Sequence, residues 1–250
     1  VGILKSEIDT PALCLDLDVM EANIASIMGT CREHGVAWRP HSKCHKSSLI
    51  GQKLMEAGAL GITCAKLGEA EVMAAGGIQD LLIANLIVGP AKIKRLVELR
   101  KTADPIVCID HIDQALPISE AMAASGQQLR VIIEVDIGLE RVGVAPQQPT
   151  LELARQLKTL PGIELAGIMG YEGHLLALDD SEEKESRIHE ALDRLTQTAD
   201  LLRQENIPCE IVSCGGTGSY RISVTHPGIT ELQAGGAIFM DQFYRNACQI

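Results

Sequence analysis

Val36-Ala37-Trp38-Arg39-Pro40-His41-Ser42-Lys43-Cys44-His45-Lys46 is a short apolar run ending in a basic loop, and a helix-like run follows over 47–57. Strand, polar loop, amphipathic helix is the unit of parallel α/β folds, and here it repeats. Strand-like runs fall at 36–39, 61–64, 81–84, 106–109, 129–136, 165–169, 210–213 and 230–233. Helical stretches lie between them at 47–57, 67–75, 90–101, 111–124, 150–160 and 181–205. Leu153, Leu157 and Leu160 mark one helical face, which Pro161-Gly162 should stop. Eight strands alternating with helices predict a (β/α)8 TIM-type barrel rather than an open sheet. Ahead of them, Asp18 is placed to cap a helix over 19–33, with Gly35 beyond its end. Pro11-Ala12-Leu13-Cys14-Leu15-Asp16 reads as an additional strand with no partner in the barrel.

Composition narrows the function. The chain has 250 residues, 46% of them hydrophobic, enough for one large core. It shows no run long and apolar enough to span a membrane, and Val1-Gly2-Ile3-Leu4-Lys5 does not read as a signal peptide. The start without Met suggests a trimmed N-terminus. A net charge of −11, with 33 acidic against 22 basic residues, argues against nucleic acid as a partner. One Trp, three Tyr and two Phe offer little base-stacking surface. The eight cysteines form no CxxC pair and read as reduced thiols of a cytoplasmic protein. His41-x-x-Cys44-His45 lacks further ligands at metal-site spacing.

Chemistry in such a barrel gathers at the carboxyl ends of the strands. Lys43 falls there, among Arg39, Lys46, His41 and His45. Neighbouring cations would ease its deprotonation, and a neutral amine is what forms a Schiff base. After the seventh strand comes Ser213-Cys214-Gly215-Gly216-Thr217-Gly218, and after the eighth Ala234-Gly235-Gly236-Ala237. Together these loops suit a phosphate, since glycines let backbone N–H groups approach an anion. Arg141 follows the fifth strand, as an ion-pair partner of Glu134 or Asp136 or as a ligand contact. Tyr171 and His174 follow the sixth. A reactive lysine, a phosphate cradle and an arginine on one rim suggest pyridoxal phosphate. A cofactor-free Schiff-base aldolase would use the same lysine and phosphate site.

Four motifs, in order along the chain, carry a resemblance. They are Arg39-Pro40-His41-x-Lys43-x-His45-Lys46, Glu134-x-Asp136-x-Gly138-x-x-Arg141-x-Gly143, Gly170-Tyr171-Glu172-Gly173-His174 and Ser213-Cys214-Gly215-Gly216-Thr217-Gly218. As a set they resemble the D-threonine aldolase/D-serine dehydratase family of alanine-racemase-like, fold-type III pyridoxal enzymes. Within it, the Tyr-Glu-Gly-His stretch leans toward D-threonine and 3-hydroxy-D-aspartate aldolases. The resemblance implies the alanine racemase N-terminal type of barrel over 18–250, without the family's C-terminal β-domain, and a strand within 1–17 that would join that domain.

It further implies Lys43 as the Schiff-base lysine. Thr217, with backbone from Gly216, Gly218, Gly235 and Gly236, would hold the phosphate of pyridoxal 5'-phosphate. His41, Arg141 and Tyr171 would surround the cofactor, Tyr244 would lie near its phosphate end, and His45 and His174 would transfer protons on the substrate side. A divalent metal (Mn, Mg or Zn) would be held by the absent domain, with no ligand in this chain. The implied activity is a lyase that cleaves D-β-hydroxy amino acids to glycine and an aldehyde, in a cytoplasmic homodimer. The alternatives are a dehydratase giving an oxo acid and ammonia, and a non-catalytic pyridoxal-phosphate carrier.

Overall fold

β-Branched runs such as Val131-Ile132-Ile133 carry no polar residue because a strand covered on both faces has no wet side. In the computed structural model, which describes residues 2–179, 181–248 and 250, these runs become eight parallel strands with helices outside them. The chain runs α1 (Leu17–Glu33), β1 (Ala37–Trp38), α2 (Ser48–Glu56), β2 (Ile62–Cys64), α3 (Leu67–Ala75), β3 (Asp80–Leu86), α4 (Pro90–Leu99), β4 (Asp104–Ile109) and α5 (Ile112–Ala124). It continues with β5 (Leu129–Glu134), α6 (Gln148–Leu157), β6 (Ile163–Met169), α7 (Glu182–Gln204), β7 (Ile211–Cys214), α8 (Tyr220–Ser223), β8 (Glu231–Leu232) and α9 (Gln242–Asn246).

Ladders join the strands in the order β1-β8-β7-β6-β5-β4-β3-β2. The circuit closes between β1 and β2, where His41 bridges Thr63, Leu60 N–H donates to Trp38 O (2.8 Å) and Thr63 N–H donates to Pro40 O (2.9 Å). The main core lies between sheet and helices. A smaller cluster of Leu82, Ile106, Cys108, Ile132 and Met169 packs apart from it.

Two sequence expectations need correction. The cap of α1 is Asp16 rather than Asp18: its Oδ1 accepts from Val19 N–H (3.2 Å), and the helix starts two residues early. α6 ends at Leu157, before Pro161-Gly162 is reached, in a turn made by Thr159 N–H to Gln156 O and Leu160 N–H to Leu157 O. Gly162 serves the next contact instead. Its φ is +72°, and a Cβ there would stand 2.5 Å from the Ala123 backbone nitrogen of α5. Residues 11–16 form no ladder with the barrel, and Leu13 and Leu15 are exposed; Val1 lies outside the described residues.

A row of ions occupies the end of the barrel where strands begin. Arg39, 1% exposed, pairs through Nε with Glu231 (3.1 Å) and through Nη1 with Asp80. Arg130 continues the row to Asp80 (3.3 Å) and Asp104 (2.7 Å). Arg39 therefore turns away from Lys43, toward the barrel floor. Among the described residues no helix is long and apolar enough to cross a membrane.

Candidate active site

The loops at the opposite end, where strands finish, enclose a cavity of about 350 Å³. Its wall includes Lys43 and His41 from the β1 loop, Glu134 and Arg141 from β5 and its loop, and Tyr171 from the β6 loop. Gly216, Thr217, Gly235, Gly236 and Tyr244 complete the other side. Sequence positions scattered over most of the chain thus meet in one place because each follows a strand of the same parallel barrel.

Lys43 lies in a single helical turn over Ser42–Cys44, with Nζ 6.0 Å from the Tyr171 ring centroid. Burial holds its amine below the usual lysine value, and Arg141 lowers it further, against Cys44 and Glu69. The cations expected from sequence play other parts. Arg39 faces the floor, and Lys46 is paired with the buried carboxylate of Glu69. Burial, with Lys43 next in importance, pushes His41 down to about 3, so the imidazole is neutral at pH 7. The cation that acts on Lys43 comes from β5. Arg141 Cζ stands 5.8 Å from the Tyr171 centroid, on the ring that Lys43 also approaches. Burial and Glu172 raise the Tyr171 phenol, which stays protonated across the neutral range.

The phosphate-type loops are built by close approach. A Cβ on Gly235 would lie 2.1 Å from His41 O, and one on Gly236 would meet Tyr244 at 2.8 Å. A Cβ on Gly216 would meet the Tyr171 ring and hydroxyl at 2.8 Å. Thr217 Oγ1 accepts from Ala237 N–H (3.0 Å) and ties the two loops together. Among the described residues the N–H groups of Thr217, Gly218, Gly235 and Gly236 donate to no protein acceptor. An anion would satisfy them, as buried or half-buried donors require. Gly218 is beside the cavity rather than on its wall, against Leu176 and Cys248.

The two other histidines are not on the cavity wall. His45 Nδ1 accepts from Ser47 N–H (3.0 Å) at the start of α2, its Nε2 is buried without a partner among the described residues, and burial pushes its pKa down to about 4. His174 is exposed, with its ring against Gly138, and burial and Arg187 lower its pKa.

Sequence reading passed over Glu172 and Gln233. Glu172 is fully buried, and its carboxylate accepts from Ser219 Oγ (2.6 Å), Ser223 Oγ (2.7 Å) and Gly215 N–H (3.4 Å), setting the first glycine loop. Gln233 is on the cavity wall and donates to Ser213 Oγ (2.9 Å). A charged residue inside an otherwise glycine-rich, Tyr-Glu-Gly-His run is the signal that marks Glu172. Of the two acids offered to Arg141, Glu134 is its ion-pair partner, 3.6 Å away, while Asp136 Oδ1 accepts from the N–H groups of Gly138 and Glu140. Cys14 and Cys44 are exposed, the remaining cysteines are buried, and all are free.

A reactive amine, unpaired backbone donors and a planar aromatic wall around one cavity fit a phosphorylated aldehyde cofactor such as pyridoxal 5'-phosphate. Among the described residues no three His, Cys, Asp or Glu side chains are grouped as a metal site.

Comparison with known proteins agrees with this architecture. The sequence model for the alanine racemase N-terminal domain matches residues 15–242. The chain is 39% identical over 239 residues to a D-threonine aldolase of Arthrobacter sp, covering 96% of this chain and 63% of that protein. It is 37% identical over 246 residues to a 3-hydroxy-D-aspartate aldolase of Paracoccus denitrificans (strain Pd 1222), again covering 97% and 63%. The crystal structure of D-threonine aldolase from Filomicrobium marinum superposes with a TM-score of 0.94 at 37% identity, over 97% of this chain and 66% of that one. The chain thus spans a little under two thirds of the relatives it matches. With eight parallel strands in this order, a lysine at the mouth of the first and the family match over most of its length, the chain belongs to the alanine racemase N-terminal domain family.

Proposed function

We propose that the intact protein is a pyridoxal-phosphate-dependent lyase that cleaves D-β-hydroxy amino acids, D-threonine or 3-hydroxy-D-aspartate, to glycine and an aldehyde. The observation that carries the reading is the placement of Lys43 across one cavity from the glycine loops at Thr217 and Gly235-Gly236. The two curated relatives described above are both named as aldolases, which favours carbon–carbon cleavage over dehydration.

Lys43 would bind the aldehyde carbon, and its lowered pKa supplies the neutral amine for that attack. The donors of Thr217, Gly218, Gly235 and Gly236 would hold the phosphate. Tyr171 would face the ring, and Arg141, beside it, would hold negative charge that gathers on that side. His41, neutral and on the wall, would contact the cofactor without adding charge, while His45 and His174 would transfer protons from outside the cavity lining. The bound cofactor supplies an electron sink for the carbanion left when a Cα bond breaks. The divalent metal would draw its ligands from elsewhere in the intact protein, and the segment at 1–17 would add a strand to a second domain there. We place the protein in the cytoplasm as a homodimer acting on a small substrate, with neither nucleic acid nor membrane as partner.

The test is the visible spectrum of the purified chain with pyridoxal 5'-phosphate, beside Lys43→Ala. A band displaced from that of the free cofactor, and lost in the variant, is expected. An identical band in the variant would overturn the assignment of Lys43. With D-threonine and the intact, metal-loaded protein, glycine and acetaldehyde are expected; an oxo acid and ammonia would make it a dehydratase.

A further inference from the structure

β5 is apolar through Val131-Ile132-Ile133, and its next residue, Glu134, is an acid on the cavity wall, 4% exposed. A carboxylate taken out of water is costly unless it is paired and hydrogen-bonded. Glu134 is only half provided for. Oε1 stands 3.6 Å from Arg141 Nη2, an ion pair too long for a hydrogen bond. Oε2 is buried and has no partner among the described residues. Burial pushes the Glu134 carboxyl up, Arg141 pulls it back, and Asp110 pushes it further up.

The backbone makes this pairing more than a chance encounter. Glu134 O accepts from Val144 N–H (2.9 Å), and Val144 O accepts from Asp136 N–H (2.8 Å), so the loop bearing Arg141 is stapled at its base to Glu134 itself. Gly143, at φ +109°, allows the close return, since a Cβ there would stand 2.8 Å from Asp136 N. The guanidinium beyond this base is 53% exposed and would otherwise sample many rotamers.

We propose that Glu134 is the positioning residue for Arg141. Its carboxylate holds the guanidinium over Tyr171 and beside Lys43, and Oε2 is the acceptor for the second arm of the guanidinium fork when the cofactor fills the cavity. Carboxylate and guanidinium match in this two-pronged way, which fixes orientation as well as charge. Among its neighbours Arg141 is the charge that lowers the Lys43 amine most, and Glu134 acts on the amine through it. The inference rests on the reading of Lys43 as the cofactor lysine.

The experiment follows the pH midpoint of the visible band in the cofactor-loaded protein and in Glu134→Gln, Glu134→Asp, Arg141→Ala and the Glu134→Gln/Arg141→Ala pair. Gln keeps the side-chain volume, so the loop should stay folded, and thermal melting checks it. Asp keeps the charge but withdraws it by about 1.5 Å, one C–C bond. If Arg141 loses its anchor it leaves Lys43, and the midpoint rises by about one pH unit, the scale of a lost neighbouring charge. Both Glu134→Gln and Glu134→Asp should show that rise, and the pair should match Arg141→Ala alone. A Gln effect that adds to that of Arg141→Ala would overturn the proposal, because Glu134 would then act on the cofactor directly. So would a Glu134→Asp spectrum equal to that of the unmodified protein. An unmodified protein with no band would overturn the cofactor reading along with this one, whereas a band with the two residues uncoupled overturns this one alone.

Discussion

Replacing Arg39 by Met should unfold the barrel far more readily while leaving the cavity chemistry in place. Arg39 and Glu231 are 1% and 2% exposed and face each other at 3.1 and 3.2 Å, so neither can turn to water. Removing the cation strands Glu231 at the barrel floor. Breaking one side of a buried pair costs about 3–5 kcal/mol, because the surviving charge loses its partner. Asp80 adds little to that sum, being 32% exposed and still 3.3 Å from Arg130. In a domain of this size each kcal/mol moves the melting temperature by about 2–4 °C, so a drop of roughly 6–20 °C is expected. Urea unfolding should show a lower midpoint with an unchanged slope. Adding Glu231→Leu to Arg39→Met should recover most of the loss, since an apolar pair can replace a buried ion pair at little cost. The visible cofactor band should persist in both variants, because these residues are at the opposite end from Lys43. A single variant destabilised by less than about 1 kcal/mol would refute the reasoning, as would a double variant no better than the single.

Three further outcomes follow from the site. Glu172→Ala leaves the hydroxyls of Ser219 and Ser223 without their shared acceptor, and a loosened glycine loop should weaken cofactor binding by about tenfold or more, roughly 1.4 kcal/mol, in an absorbance titration. Gly235→Ala should abolish cofactor binding, since its Cβ meets His41 backbone at 2.1 Å, while Gly218→Ala, which meets the Leu176 side chain and Cys248 Sγ at 3.0–3.1 Å, should retain it. His41 and His45, held at about 3 and about 4, are neutral in the folded protein and charge when it unfolds below the ordinary histidine value. Their contribution is therefore present above that value and is lost as pH falls toward 4 and 3. Near pH 5 each should steepen the loss of stability by about 1.4 kcal/mol per pH unit, and His41→Asn or His45→Asn should each remove about that much from the slope measured by urea unfolding.

The barrel was legible because its signal is local. A two-residue strand such as Ala37–Trp38 is still announced by the apolar run before a polar loop, and helices 67–75 and 111–124 have ends set by neighbouring residues. That Lys43, Thr217 and Gly235 would meet at one cavity was legible for the same reason: each follows a strand, and the fold brings strand ends together. Charge was misread because sequence neighbours are not spatial neighbours. Arg39 lies four positions from Lys43 and points to the other end of the barrel, whereas Arg141 reaches Lys43's surroundings from β5.

The same limit explains why Glu134 looked like one of two interchangeable acids. Strand alternation sends Glu134 into the cavity wall, while Asp136, past the strand end, turns back to hold its own loop through Gly138 and Glu140. Nothing within the loop sequence distinguishes those two tasks; burial does. In β5 the acid that ends the strand serves the cavity, and the acid two residues beyond it serves the loop.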